Sequence, residues 1–407
     1  MPLEALQTLP EGPERDYLWT LNFGPQHPAT HTTLRLILTL DGETVIKAVP
    51  DIGFLHSGFE KLGEDLDFNQ YVTIVDRMNY ISPIMNEIAW HHTVEKLMGI
   101  ELTPRCKYIR TILGELARIS DHLLCAGAQA LDLGAFTAFL YGFYQRELIY
   151  DIYETISGQR FHPSYTRVGG LLFDVTDDFI RKVRTFVKEF PKTHADMCRL
   201  LNRNRIFVER TQGIGVLTKQ MAIDLSCTGP IARASGVVRD LRKDEPYLAY
   251  PDFQNLFKVV CAEEGDCYAR YIVRMEEMIE SLKIIDAAIE HLPTGGVNVD
   301  VNSKVVFPEQ KAVYRSIEGL IQQFELVMPN RQWTSPVDEV YGAIESPNGE
   351  LGFYIVSDGT GVAYRARTRP PSFIHFATFP YLIEGHQISD VVAVLGSLNI
   401  IAAELDR

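Results

Sequence analysis

The sequence predicts an α+β protein, with a core of long helices framed by β-sheet elements drawn from both ends of the chain. Three observations carry this prediction. Apolar residues recur at helical spacing through most of residues 84–325. Strand-like runs separated by tight-turn residues occupy 17–50, and the pattern returns to β after residue 340, ending in a helix. No internal repeat, low-complexity tract or long flexible linker divides the 407 residues, so they are expected to form one domain behind an extended tail at 1–16.

At the N-terminal end, Tyr17–Phe23 and Leu34–Leu40 are strand-like, and Asp41-Gly42 is a hairpin turn leading into Thr44–Val49. Ile84, Ile88, Val94 and Leu97 mark a first helix that Gly99 can end. Thr103 can cap the next, Pro104 suits its first turn, and an apolar stripe from Ile109 to Leu124 carries it to about Leu131. A third helix, about Phe136 to Ser157, stops at Gly158; its first half is apolar almost all round, which predicts burial inside the bundle. A fourth begins at Asp177-Asp178, and Pro191 is expected to bend or divide it. Apolar spacing predicts a long helix over about 266–291 and a shorter one over Val313–Phe324. Val340–Glu345 and Leu351–Ser357 flank Pro347-Asn348-Gly349 as a hairpin, Val362–Arg369 is a third strand, and Asp390–Leu398 a terminal helix.

Composition narrows the function. A formal charge of −14 argues against a nucleic-acid surface. Residues 1–16 are polar and acidic without an apolar h-region, so no secretory signal is expected. Leu123–Gln145 carries one charge, Asp132, and is long enough to span a bilayer, but Asp132-Leu133-Gly134 interrupts it. It is expected to form two buried helices meeting at a break, so that membrane contact comes through a partner. The cysteines at 106, 125, 198, 227, 261 and 267 contain no C-x-x-C pair, and are expected to be reduced packing thiols rather than cluster, zinc or disulfide residues.

The chemistry centres on Gly24-Pro25-Gln26-His27-Pro28-Ala29-Thr30-His31. Two histidines four apart would share a helix face, but Gly24, Pro25 and Pro28 impose a stiff irregular loop instead. Such a loop on a sheet scaffold can hold an imidazole in fixed register, or it can simply be a tight turn with hydrogen-bonded surface histidines.

GPQHPATH, the following LRL, and IGFLHSGFEK at 52–61 open a series that continues through RMNY (77–80), VEKLMGI (94–100), ALDLGAFT (130–137), SGQRFHPSYTRVGG (157–170), GDCYARY (265–271), GELGFYIVSDG (349–359) and the final ELDR. This series, in order over nearly the whole chain, resembles the 49-kDa (D) subunit family of respiratory complex I, the NADH:quinone oxidoreductase. That family is related to the nickel–iron hydrogenase large subunit, so the resemblance implies a hydrogenase-large-subunit-like fold. Where hydrogenases have R-x-C-G-x-C this chain has Arg77–Ser82, and where they have D-P-C-x-x-C it has Asn399–Glu404. The four thiolate positions hold Asn79, Ser82, Ile401 and Glu404, none a soft sulfur ligand for nickel; no metal is expected in this chain.

The resemblance implies that the emptied cavity takes a quinone headgroup. His31 would contact one carbonyl and Tyr80 the other, with Asp132 paired to His31 to set its tautomer and raise its proton affinity. The alternatives are a core tyrosine for Tyr80 and a helix cap for Asp132. His162 matches the histidine beside the terminal iron–sulfur cluster of the neighbouring B subunit, where its protonation would raise the cluster potential; His27 is assigned to loop structure. Adjacent helical residues face different directions, so His91-His92 is not expected to bind metal. The chain would bind no cofactor alone. Its implied partners are the B and C subunits, the membrane subunit completing the quinone channel and other peripheral-arm subunits, on the cytoplasmic side of the inner membrane. Departures from the family pattern are Asp51 for His, Thr32 for Gly, Asn399 for Asp, and Phe257-Lys258-Val259-Val260 for F-D-V-P; Asp51 and Thr32 are expected near the site. Two other functions compete. One is a structural subunit of a membrane-bound hydrogenase- or ferredoxin-type complex without quinone chemistry. The other is a metal hydrolase using His27/His31 or His91/His92, which lacks a completing Glu or third ligand.

Overall fold

The computed structural model describes residues 17–30, 33–300, 305–328 and 334–407. His31 and Thr32 therefore lie outside the described residues, as does the tail at 1–16.

The N-terminal sheet is an antiparallel meander of β1 (Leu18–Phe23), β2 (Arg35–Asp41) and β3 (Thr44–Asp51). Leu36, Leu38 and Leu40 of β2 point inward, as the period of two requires. Asp41 pairs directly with Thr44, so the turn residues are Gly42-Glu43, one residue later than expected; Gly42 takes the positive φ of 57°. Short helices α1 (Phe59–Asp65) and α2 (Val72–Val75) lead into the core helices.

These are α3 (Pro83–Met98), α4 (Pro104–Asp132), α5 (Phe136–Ser157), α6 (Asp177–Leu201) and, after α7 (Arg205–Glu209), α8 (Lys219–Asp224), α9 (Gly229–Ala234) and α10 (Leu241–Asp244), the long α11 (Cys267–Glu290). The hairpin β4 (Thr166–Arg167) and β5 (Gly170–Leu171) sits between α5 and α6. Gly99 ends α3 in the left-handed region, and the Thr103 side chain accepts from the Cys106 N–H to cap α4. α4 packs against α3, α5 and α11, and against a helix near the C-terminus, which makes it the spine of the fold.

Three expectations are corrected. Pro191 does not divide α6, which runs from Asp177 to Leu201 with Phe179, Val183, Phe186, Phe190, Met197 and Leu201 buried on both sides of the proline. The helix expected over 313–324 is two, α12 (Gln310–Arg315) and α13 (Ile317–Val327), split at Ser316, whose hydroxyl caps the second by accepting from the Gly319 N–H. The first half of α5 is not buried: Phe136 (56%), Leu140 (50%) and Tyr144 (63%) are exposed, because α5 packs through one side onto α4 and α6 and turns the other outward.

The C-terminal sheet comprises β6 (Val337–Ser346), β7 (Gly349–Asp358) and β8 (Arg365–Arg369), the last shorter than predicted, with Val362 bridging to Asp67 instead. It lies on α3 with little space between them. A Cβ on Gly342 would stand 2.5 Å from Thr93 Oγ1, so only glycine permits this approach. α14 (Pro371–Phe376), α15 (Phe379–Ile383), α16 (Ile388–Leu398) and α17 (Ala402–Asp406) then return to the N-terminal sheet and share a second apolar core with it. At the end of the chain, Asp406 accepts from the N–H groups of Gly53 (2.9 Å) and Leu55 (2.6 Å), clamping the final ELDR to the IGFLHSG loop.

Candidate functional site

Four separated segments close round one cavity of about 170 Å³: the loop after β1, the turn after α2, the C-terminal half of α4, and the segment from the end of α16 into α17. Its walls are mostly apolar, and its polar groups include Tyr80, Asp132 and Asn399.

The first wall is the proline-rich loop. Thr30 Oγ1 donates to the carbonyls of Pro25 (3.1 Å) and His27 (2.9 Å), closing a single 3-10 turn at Pro28–Thr30. His27 has the structural role expected of it, accepting from the Ala29 N–H through Nδ1 (3.1 Å) and packing on Phe23. Thr30 and Thr33, which flank the undescribed residues 31 and 32, both line the cavity.

Tyr80 comes from the turn at Arg77–Ser82. Asn79 shapes that turn: its side-chain oxygen accepts from the Ile81 N–H (3.2 Å), and its carbonyl accepts from Asn86 Nδ2 (3.0 Å). The half-buried Tyr80 ring reaches the cavity, burial raises its phenol above the ordinary value, and its hydroxyl has no hydrogen-bond partner among the described residues. Asp132 is the last residue of α4 and is exposed on the cavity wall. The capping alternative for it fails, since α5 begins after Ala135 with no side-chain cap. Gly134, at φ 88°, makes the break between the two helices.

Behind the fourth wall lies a buried polar cluster that sequence reasoning missed. Asn399 Nδ2 donates to Asp121 Oδ1 (2.7 Å) and to Asn348 Oδ1 (2.5 Å), while the Ser372 hydroxyl donates to the fully buried Glu404. This accounts for Asn399, whose amide donates to a carboxylate at a left-handed backbone position (φ 53°) that suits Asn. Burial raises Glu404 to about 7, with Asp121 adding to the shift and Ser372 opposing it. The available signal was Asp121-His122 interrupting the apolar stripe of α4.

His162 does not line this cavity. It sits half-buried in the loop between α5 and β4, with a positive φ of 54°. Burial and the nearby Arg77 guanidinium lower its imidazole. The loop is nevertheless tied to the Tyr80 turn, because Ser164 Oγ donates to Asp76 Oδ2 at 3.0 Å. Asp51 does not line the cavity; it pairs with Arg35 at 3.2 Å, next in sequence to the lining residue Leu34. His91 is fully buried against Thr166 Oγ1 (2.7 Å) and His92 packs on Tyr247. Among the described residues no group of three or more His, Cys, Asp and Glu is placed to hold a metal, and none of the cysteines is disulfide-bonded.

Residues 132–407 match the family model described as the respiratory-chain NADH dehydrogenase 49 Kd subunit. The chain belongs to that family. It is 47% identical over 388 residues to the second D-type subunit of the NADH-quinone oxidoreductase of Sinorhizobium medicae, covering 95% of each chain. It is 45% identical over 405 residues to the corresponding D-type subunit of Methylacidiphilum infernorum, covering 100% of this chain and 96% of the relative. With the first D-type subunit of Chloroherpeton thalassium the identity is 46% over 404 residues, covering 99% and 91%. The mixed helix-and-sheet architecture agrees with this membership, and no described helix is long and apolar enough to cross a membrane.

Proposed function

We propose that this chain forms the headgroup end of the quinone site in a proton-pumping NADH:quinone oxidoreductase, receiving electrons from an iron–sulfur cluster held by the neighbouring B subunit. The observation that carries the reading is the cavity itself. Tyr80, Asp132 and the two threonines on either side of residues 31 and 32 meet in one mostly apolar chamber, two of whose four segments stand where hydrogenases carry their ligand loops.

The chemistry fits these groups. Two electrons entering a quinone leave two basic oxygens, each of which takes a proton. Apolar walls hold the ring and exclude water, and the Tyr80 hydroxyl, which has no partner among the described residues, would donate to one oxygen. A phenol raised by burial keeps its proton at neutral pH until a strong base develops beside it. His31 would serve the other oxygen, with Asp132 stabilising the imidazolium form. The chain holds no cofactor of its own in this reading, and quinone is its substrate.

His162 would lie beside the partner's cluster. Burial and Arg77 keep it neutral near pH 7, so reduction of an adjacent cluster would draw a proton onto it. Two apolar strips, Phe136, Leu140 and Tyr144 on α5 and Ile317, Ile321 and Phe324 on α13, are exposed in the isolated chain, as expected of a subunit covered by others. Those others would be the B and C subunits, the membrane subunit that completes the channel and further peripheral-arm subunits. The chain would sit peripherally on the cytoplasmic side of the inner membrane.

The test is Tyr80→Phe in the assembled complex. Losing one donor in a dry site should lower quinone reduction by roughly 10²–10³, about 3–4 kcal/mol of barrier, while ferricyanide reduction by the same preparation is unchanged. Quinone reduction at the wild-type rate, or a parallel fall in ferricyanide activity, refutes the assignment.

A further inference from the structure

The protein buries a second acidic feature between the Tyr80 turn and the His162 loop. Asp76, just after α2, and Glu87, on α3, are both fully buried, with their carboxyl groups within hydrogen-bonding reach of each other. One oxygen of each is occupied by the same loop. Asp76 Oδ2 accepts from Ser164 Oγ at 3.0 Å. Glu87 Oε2 accepts from the N–H groups of Tyr165 (2.9 Å) and Thr166 (2.8 Å) and from Thr166 Oγ1 (3.0 Å). The remaining oxygens, Asp76 Oδ1 and Glu87 Oε1, are buried and find no donor among the described residues. Two neighbouring buried carboxyl groups that each keep an acceptor without a donor are one hydrogen short of a satisfied arrangement.

The surroundings admit one negative charge and not two. Arg167 is the guanidinium whose field reaches both carboxyls, and its Nη1 is committed to the carbonyls of Ser164 and Thr166. Arg110 is taken up by a bidentate pair with Glu95. Arg77 is exposed and faces His162. His91 is kept neutral by burial and spends Nδ1 on Thr166 Oγ1; since that hydroxyl donates to Glu87, Nδ1 carries the hydrogen. The nearby Tyr153 and Tyr165 are phenols whose ionisation burial opposes. A second carboxylate here would be a buried, unpaired charge.

We propose that Asp76 and Glu87 hold one proton between them, and that this proton-sharing pair positions the His162 loop against the turn that carries Tyr80. Burial, and for Asp76 also the Glu87 carboxyl, raise both groups, the direction a shared proton requires. The two acids titrate as a unit. Losing the proton at alkaline pH would set two carboxylates against each other and loosen Ser164–Thr166 from α3. The positioning role rests on the quinone reading above; the shared proton does not.

The experiment is hydrogen–deuterium exchange in the assembled complex, followed in peptides covering 160–170 and corrected for the intrinsic pH dependence of exchange. Protection of the Tyr165 and Thr166 amides should fall at least about tenfold toward alkaline pH, and quinone reduction should decline over the same range. Asp76→Asn supplies a permanent N–H donor and should keep protection level with pH and remove the part of the rate decline that follows loss of protection; Glu87→Gln supplies the donor from the other side and should do the same. pH-independent protection in the wild type overturns the proposal whatever the variants do. So does a variant that loses protection in parallel with the wild type, or one whose rate declines with pH just as the wild type's does. If protection behaves as expected while Tyr80→Phe leaves quinone reduction intact, the quinone reading falls and the proton-sharing pair stands.

Discussion

Two regions that α4 helps to build use their polar groups in different ways. In the middle of that helix, Glu115, Arg118 and His122 enter a fully buried ionic network. Arg118 and Arg242 approach Glu115 at 3.2 and 3.3 Å, Arg233 reaches Glu277 at 2.9 Å and Glu345 at 2.7 Å, and His122 Nε2 meets Glu277 at 3.0 Å. Burial alone would raise the Glu277 carboxyl, but Arg233 and Arg242 hold it well below the usual carboxylate range. About three turns further on, the same helix ends at Asp132 in a cavity where the Tyr80 hydroxyl has no partner among the described residues. The difference separates two uses of polarity. A network in which nearly every charge is matched makes a rigid joint between α4, α9, α10, α11 and β6, whereas a hydroxyl with no partner among the described residues, set along an apolar wall, is placed to meet a substrate.

The largest effect is expected from disturbing the network. Glu277→Ala takes away the carboxylate that Arg233, Arg242 and His122 share, leaving His122 without its partner and the network with excess positive charge, and should cost about 3–5 kcal/mol in urea unfolding of the full chain. A loss no larger than a surface substitution would mean that the network is not a structural joint. Next in size is the pH dependence contributed by Glu404, which belongs to neither class fully. Its folded-state pKa is raised from 4.5 to about 7, so its contribution is present below about pH 4.5 and is lost as pH rises through about 7, amounting to about 3 kcal/mol. Glu404→Gln should remove that component, leaving a flatter stability profile between those pH values; an unchanged profile would place the proton elsewhere.

On the cavity side, Asp132→Asn should leave the fold intact because the residue is exposed at a helix end. It should lower quinone reduction by less than about tenfold, more at high pH than at low, as a weaker hold on a protonated imidazole requires. A uniform loss across pH would assign Asp132 a steric role instead. The smallest effect on rate is expected at His162, outside the cavity: His162→Met should reduce quinone at nearly the wild-type rate while flattening the pH dependence of the adjacent cluster's potential in a redox titration. An unchanged slope would leave His162 with only a loop-shaping role.

Elements whose signals are local were legible in the sequence. Thr103-Pro104 at the start of α4, Gly99 and Gly158 at helix ends, and Asp132-Leu133-Gly134 at the break all act through backbone geometry within a few residues. Family membership was legible too, because its motifs are spread over nearly the whole chain, and through them Tyr80 and Asp132 were singled out, which do meet in one cavity. What was not legible depends on which surfaces meet. Apolar pattern alone predicted that α5 is buried, but a helix rich in Phe and Tyr looks the same whether its second face meets the core or solvent. Pro191 removes one hydrogen bond, and only packing on both sides of it makes α6 continue. Asp121 and Asn348 are far in the chain from Asn399, as are Asp76 and Glu87 from their partners at Ser164–Thr166. Hydrogen bonds between such distant residues exist only after the helices close, so it is the closed fold that settles which carboxyl groups are satisfied and which keep a proton.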